Sequence, residues 1–168
     1  PEKITKPVIA AIQGYCFGVG FEFSLACDFR IVTQCAELSL PEMKIGMIPG
    51  SGGSVRLARM IGLSRVKDMI MRGKRISGEE AFNLGLASEL VDKDKIEITI
   101  EKLVDELCSI SPLAQRAIKT VLNASQDAPL HVAIELEGET YGRLRSSNDF
   151  NEGVKSFVEK RKPIYKGN

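Results

Sequence analysis

The sequence predicts an α/β part followed by an all-helical part. Three observations carry that reading. A continuous apolar run of strand length, Val8–Ile12, has the two-sided character of a buried parallel strand. Glycine-punctuated loops then lead into helices, at 14–20 and 49–54. From about residue 96 onward, apolar residues recur at helical spacing and no comparable strand appears. The bulk composition is that of a folded chain: 168 residues, 43% hydrophobic, 27% charged, and a net charge of +1 from 23 Lys+Arg against 22 Asp+Glu. Such a balance excludes intrinsic disorder, a fibrous repeat and a strongly cationic nucleic-acid binder. No apolar run reaches the roughly 20 residues of a membrane-spanning helix.

Taken in order, Val8–Ile12 reads as the first strand, stopped by Gly14. The turn Gly14-Tyr15-Cys16-Phe17-Gly18-Val19-Gly20 opens a helix over Phe21–Cys27, whose small residues suit close packing. Asp28–Thr33 and Glu37–Leu40 read as strands, the second ending at Pro41. The loop Pro49–Ser54 starts a helix with the stripe Leu57, Ala58, Ile61, closed by Gly62. Ser64 is placed to N-cap the next helix, marked by Val66, Met69 and Ile70 and ending at Gly73. Ser77-Gly78-Glu79-Glu80 has the form of a capping box, with Gly85 as the C-terminal stop and a strand over Leu86–Val91. Helices are then expected around Ile100–Leu107, from Pro112 through Leu122, and over 129–145 and 149–161. The expected division is 1–96 for the α/β part and 97–168 for the helical part.

The rare residues narrow the chemistry. The single histidine, His131, sits among apolar neighbours without a nucleophile elbow, and reads as a packing or surface residue. The four cysteines, at 16, 27, 35 and 108, form no C-x-x-C pair, so neither a zinc site nor a dithiol is indicated and no metal is expected. Cys16 and Cys27 read as small buried residues. A reducing compartment, the cytoplasm, is the simplest setting, although the start at Pro1 leaves an organellar address open. Acid–base work then falls to carboxylates, Lys or Tyr.

Two junctions present carboxylates. Glu22 lies in the first turn of the helix opened by Gly18-Val19-Gly20, where unpaired N–H groups and the positive dipole end favour an anion or oxyanion. Glu42 follows Pro41, which restricts the local backbone, and precedes the glycine-rich loop Gly50–Gly53, which permits close approach to a ligand. Singly, each has a plainer alternative: a dipole-complementing surface Glu for Glu22, a solvated strand-end charge for Glu42.

Together, Pro7-Val8-Ile9-Ala10-Ala11-Ile12-Gln13-Gly14-Tyr15-Cys16-Phe17-Gly18-Val19-Gly20-Phe21-Glu22, Leu40-Pro41-Glu42 with Gly46 and Pro49–Gly53, Gly73–Ser77, and Ser147–Gly153 with Phe157–Pro163 resemble the crotonase superfamily, the enoyl-CoA hydratase/isomerase family. The resemblance covers nearly the whole chain. It implies the second half of a crotonase-like ββα spiral followed by a helical region that forms homotrimers, or dimers of trimers. It also implies an acyl-CoA thioester substrate and an enolate held by backbone N–H groups. Coenzyme A is then part of the substrate rather than a separate cofactor. In this family Glu22 matches the glutamate that mainly activates water and Glu42 the one that mainly serves the α-carbon, a pair that favours hydration. Isomerisation, dehydration and thioester hydrolysis are the alternatives within the family.

Val19 matches the residue whose N–H is an oxyanion donor. It stands where glycine is commoner, and its β-branch disfavours positive φ and implies an altered acyl pocket. Phe17 and Phe21 are candidates for lining that pocket, with core packing as the alternative. Phe157 and Lys160 match residues that reach the adenine and phosphate end of CoA. The family carries a second oxyanion donor ahead of the position of Pro7. The chain therefore reads as lacking that part, and with one donor missing the 168-residue piece alone is expected to be a poor hydratase. An RNA-binding or non-catalytic trimeric role is disfavoured by the near-zero net charge and by the glutamate pair.

Overall fold

The computed structural model describes residues 1–168 and divides into two compact units, one of Pro1–Glu2 with Val8–Lys102 and one of Lys3–Pro7 with Leu103–Asn168. The division falls inside helix α5 (Ile96–Cys108), whose first residue coincides with the change of character expected near 96.

The first unit holds two small sheets. Strands β1 (Ile9–Ile12), β3 (Phe29–Thr33) and β6 (Glu89–Val91) form one, in the order β1-β3-β6, and all run parallel. Strands β2 (Tyr15–Phe17), β4 (Glu37–Ser39) and β5 (Ile76–Ser77) form the other, with β2 parallel and β5 antiparallel to β4. The register Ile9 to Phe29 is pinned at its start. Val8 N–H donates to Asp28 Oδ2 at 2.7 Å, and Asp28 N–H returns to the Val8 carbonyl at 2.9 Å. β1 is parallel as expected, but Ala11 is exposed, so the apolar run is not covered on both faces. The short strands β2 and β5 were not expected. β2 lies within what reads as a glycine turn, and its pairing with β4 overrides that local signal.

Helices α1 (Val19–Leu25), α2 (Gly53–Ile61), α3 (Leu63–Met71) and α4 (Gly78–Asn83) supply the rest of the core. Phe21, Leu25, Leu38, Leu40, Leu57, Val66, Ile70 and Leu86 meet there. The capping box forms as read: Ser77 Oγ accepts from Glu80 N–H at 3.0 Å, and Glu80 Oε2 accepts from Ser77 N–H at 2.9 Å. The expected Ser64 cap does not form. Gly62, at φ 82°, caps both the end of α2 and the start of α3, two residues before Ser64, so the hydroxyl arrives too late to reach the orphan amides. Buried Arg30 stabilises the end of α1 by donating to the Ser24 and Cys27 carbonyls, and to that of Leu86. A cation at a helix C-terminus is favourable. Burial nonetheless lowers its proton affinity.

In the second unit, α6 (Pro112–Ser125) and α7 (Leu130–Leu144) pack on each other, followed by α8 (Asn148–Val158). Ser111 and Ser147 cap α6 and α8. Asp149, 3% exposed, accepts from Ser111 Oγ at 2.7 Å and from the amides of Lys166 and Gly167, fastening the C-terminal tail to the start of α8. Helix α8 is shorter than the expected 149–161, because Lys160 turns into the left-handed region at φ 52°. No helix in the chain is long and apolar enough to cross a membrane.

Candidate active site

Gly18 is the N-cap of α1 and takes a conformation, φ 55° and ψ −128°, that glycine adopts without the cost of a Cβ. Its N–H donates to the Ser39 carbonyl at 3.0 Å, and its carbonyl accepts from Glu22 N–H at 2.9 Å. The strand pairing of β2 with β4 thus sets where α1 begins. Val19 is the first helical residue, and its N–H has no partner within the helix. The concern over a β-branched residue at positive φ is resolved by this register: Gly18 takes the positive φ and Val19 does not. The Val19 side chain is 67% exposed beside that N–H.

Glu42 opens a 3₁₀ turn, Glu42–Ile45, which the sequence did not suggest. The turn is closed by Gly46 at φ 76°, and the Glu42 carbonyl accepts from Met47 N–H at 3.1 Å. Its carboxylate rests against the N-cap of α1: a Cβ placed on Gly18 would stand 2.9 Å from Glu42 Oε1. The other oxygen, Oε2, is buried and has no hydrogen-bond partner. A solvated strand-end charge would show neither feature. Buried polar atoms are overwhelmingly satisfied, so an orphan carboxylate oxygen calls for an explanation.

Glu22 is 1% exposed and held rigidly. Its Oε2 accepts from Ser51 N–H at 2.8 Å and from Gly53 N–H at 2.7 Å. These amides belong to the turn that starts α2, so the carboxylate caps that helix with charge-assisted bonds. The fit admits no side chain at 53, where a Cβ would lie 2.5 Å from Glu22 Cγ. A surface carboxylate complementing its own helix would be solvated. This one points away from its helix into a second loop. The two glutamates expected to act together thus both lie at the N-terminal end of α1, one in its first turn and one against its cap.

One residue with a part in this arrangement was assigned no role from sequence. Arg56, on α2, donates to the Ser51 carbonyl at 2.9 Å and forms a two-pronged ion pair with Glu2 at 2.6 and 2.8 Å. Arginine spaced three residues after a Gly-Gly helix start was the available signal, and it does not reveal that the side chain folds back.

The remaining candidates are distributed as follows. Phe21 is 0% exposed and part of the hydrophobic core, so it presents no wall to an acyl chain, and the core alternative describes it. Phe17 is half-buried on β2, with the Arg75 guanidinium 4.8 Å from its ring centre and the Tyr15 ring tilted against it at 5.3 Å. Cys27 is buried, but Cys16 only partly so. His131 is exposed. In the second unit, Phe157 is 85% exposed and its carbonyl accepts from Lys160 N–H at 3.3 Å. Phe157 also lines an apolar groove of about 470 Å³ with Tyr141, Phe150, Val154 and Tyr165.

With this geometry in hand, the chain can be set beside known proteins. The family model described as enoyl-CoA hydratase/isomerase matches residues 2–168. A carnitinyl-CoA dehydratase of Salmonella typhi is 37% identical over 173 residues, covering 98% of this chain and 64% of that protein. An enoyl-CoA hydratase from Bacillus anthracis superposes with a TM-score of 0.97 at 40% identity, covering 99% of this chain and 65% of the other. One from Geobacillus kaustophilus HTA426 gives 0.95 at 35%, with the same two coverages. The chain therefore spans somewhat under two thirds of the length of these relatives. Its fold is that of crotonase-type enoyl-CoA hydratases, and the chain belongs to the enoyl-CoA hydratase/isomerase family.

Proposed function

We propose that the protein is a hydratase-type lyase that adds water across the double bond of a 2-enoyl-CoA thioester. The observation that carries this reading is the orphan Oε2 of Glu42, buried against the cap of the helix whose first turn holds Glu22. An oxygen with no donor can take up and release a proton without breaking an existing bond, which is what an acid–base group requires. Val19 N–H, which has no partner within α1, is the proposed donor to the thioester oxygen. In the forward direction Glu22 receives a proton from water as the C–O bond forms at the β-carbon. The π electrons move onto the thioester oxygen, and the enolate is protonated at the α-carbon by Glu42. Exchange with solvent restores both carboxyls. The CoA is carried by the substrate, and the reading requires no separate cofactor.

The same groups run the reverse elimination. The carnitinyl-CoA dehydratases among the relatives favour dehydration of a hydroxyacyl-CoA as the second reading. Phe157 and Lys160 are the proposed contacts to the CoA adenine and phosphate, in a homotrimer or a dimer of trimers; light scattering tests the assembly. The function is tested by following loss of the enoyl thioester absorbance with a panel of 2-enoyl-CoAs and hydroxyacyl-CoAs, on the protein in its natural length. Turnover that falls by about 10² or more in Glu22→Gln supports the reading. Undiminished turnover in that variant overturns it.

A further inference from the structure

We infer that Arg56 is a positioning residue for Glu22, acting through the backbone of Ser51. The inference rests on the reading of Glu22 as the water-activating carboxylate. Ser51 is bonded at both of its backbone groups. Its N–H donates to Glu22 Oε2 at 2.8 Å, and its carbonyl accepts from Arg56 Nη1 at 2.9 Å. The guanidinium therefore grips the residue that grips the carboxylate.

Three further features fix the guanidinium itself. Its other two donating nitrogens, Nε and Nη2, are occupied by Glu2 in a fork-to-fork pair at 2.6 and 2.8 Å. It sits against the α2 cap, where a Cβ on Gly52 would stand 2.2 Å from Nη1. Arg56 N–H also donates to the Gly52 carbonyl at 3.1 Å, so backbone and side chain of one residue both return to the loop that caps Glu22. The Glu2 bond, together with the nearby charge of Glu22, raises the proton affinity of Arg56, so the guanidinium stays charged. A lysine could supply the charge, but its single nitrogen cannot serve the Ser51 carbonyl and both Glu2 oxygens in one plane.

Glu22 and Arg56 are the two side chains that hold the backbone of the loop 51–53 in this orientation. Without the guanidinium, the 51–52 peptide loses its anchor, and a change in the Ser51 backbone angles can swing the Ser51 N–H, which lies on the adjoining 50–51 peptide, away from Glu22. A displacement of about 1 Å at a reacting carboxylate is worth about 10² in rate.

The test is a double-mutant cycle on 2-enoyl-CoA hydration in the protein at its natural length, with kcat and KM measured separately for Glu22→Gln, Arg56→Ala, Arg56→Lys and Glu22→Gln/Arg56→Ala. The expected result is a fall of about 10² in kcat for Arg56→Ala with KM little changed. Little recovery is expected in Arg56→Lys, and no further loss when Arg56→Ala is added to Glu22→Gln. A merely structural role would instead give losses that add in the double variant, or would be rescued by lysine, and either outcome overturns the inference. Should Arg56→Ala not fold, Arg56→Lys with the double variant Glu22→Gln/Arg56→Lys completes a second cycle that decides by the same non-additivity. If Glu22→Gln is itself fully active, the reading of Glu22 fails; if Glu22→Gln is impaired while Arg56→Ala is fully active, only the role of Arg56 fails.

Discussion

Replacing Gly53 by alanine should displace Glu22 without touching it. Gly53 begins α2 at a φ that any residue adopts, so the backbone tolerates the change. The added methyl carbon would stand 2.5 Å from Glu22 Cγ and 2.8 Å from Oε2, well inside contact distance, and both atoms belong to a side chain 1% exposed with nowhere to retreat. The carboxylate must therefore leave one or both of the amides of Ser51 and Gly53. Hydrogen bonds to a charged group contribute about 1.5–3 kcal/mol each, so the loss is about 3–6 kcal/mol if both break. For a chain of this size that is a fall in Tm of at least about 6 °C if both break and at least about 3 °C if one does. Differential scanning calorimetry reads it directly. Gly50→Ala, in the same loop with open space around its Cα, serves as the thermal control. A Gly53→Ala protein whose Tm and kcat both match those of the parent would refute the tight seating of Glu22.

Two other outcomes follow from the same geometry. Glu42→Gln removes the charge from an oxygen that has no donor, so stability should hold or rise by about 0.5–2 kcal/mol while turnover is lost; a marked drop in Tm in thermal melts would contradict the orphan state of Oε2. The tail of the second unit should loosen in acid. Arg161 and the Ile164 amide lower Glu152 from its ordinary 4.5 to about 2. Burial works to raise Asp149, but the Ser111 hydroxyl and the tail amides outweigh it, and its net shift is also downward. Both carboxyls bind protons more weakly in the folded chain than in the unfolded one. The stability they contribute is therefore complete above about pH 4.5 and drains as pH falls toward about 2. Melting curves from pH 5 downward should show this loss, and Asp149→Asn/Glu152→Gln should flatten it.

Much of this arrangement was legible in the residues, but unevenly. Local signals that act within one turn were readable: the Ser77–Glu80 capping box and the stops at Gly62 and Gly85 depend on neighbours three or four positions away. Ser64 misled because two helices share Gly62 as boundary, a junction set by how α2 and α3 pack rather than by hydroxyl placement. Strand β2 escaped for the opposite reason: three residues inside a glycine run become a strand only through pairing with β4. At the site, resemblance singled out Glu22 and Glu42, and local pattern placed both near helix or strand ends. Neither could reveal that Glu22 is held by amides 29 and 31 residues away, or that Arg56 folds back onto Ser51. Those links are tertiary and leave no periodicity. Phe21 shows the same limit, since an aromatic residue beside a catalytic motif serves equally as pocket or core until burial is known.

The central claim is a division of labour, with Glu42 serving the α-carbon and Glu22 the water. It is tested most directly by exchange of the α-protons of a saturated acyl-CoA in deuterated water, followed by NMR beside 2-enoyl-CoA hydration in the same variants. Saturated thioesters offer no double bond to hydrate, so exchange reports α-proton transfer alone. The account expects hydration to fall in both Glu22→Gln and Glu42→Gln, but exchange to fall only in Glu42→Gln. Exchange that survives in Glu42→Gln, or that depends on Glu22 instead, would contradict it.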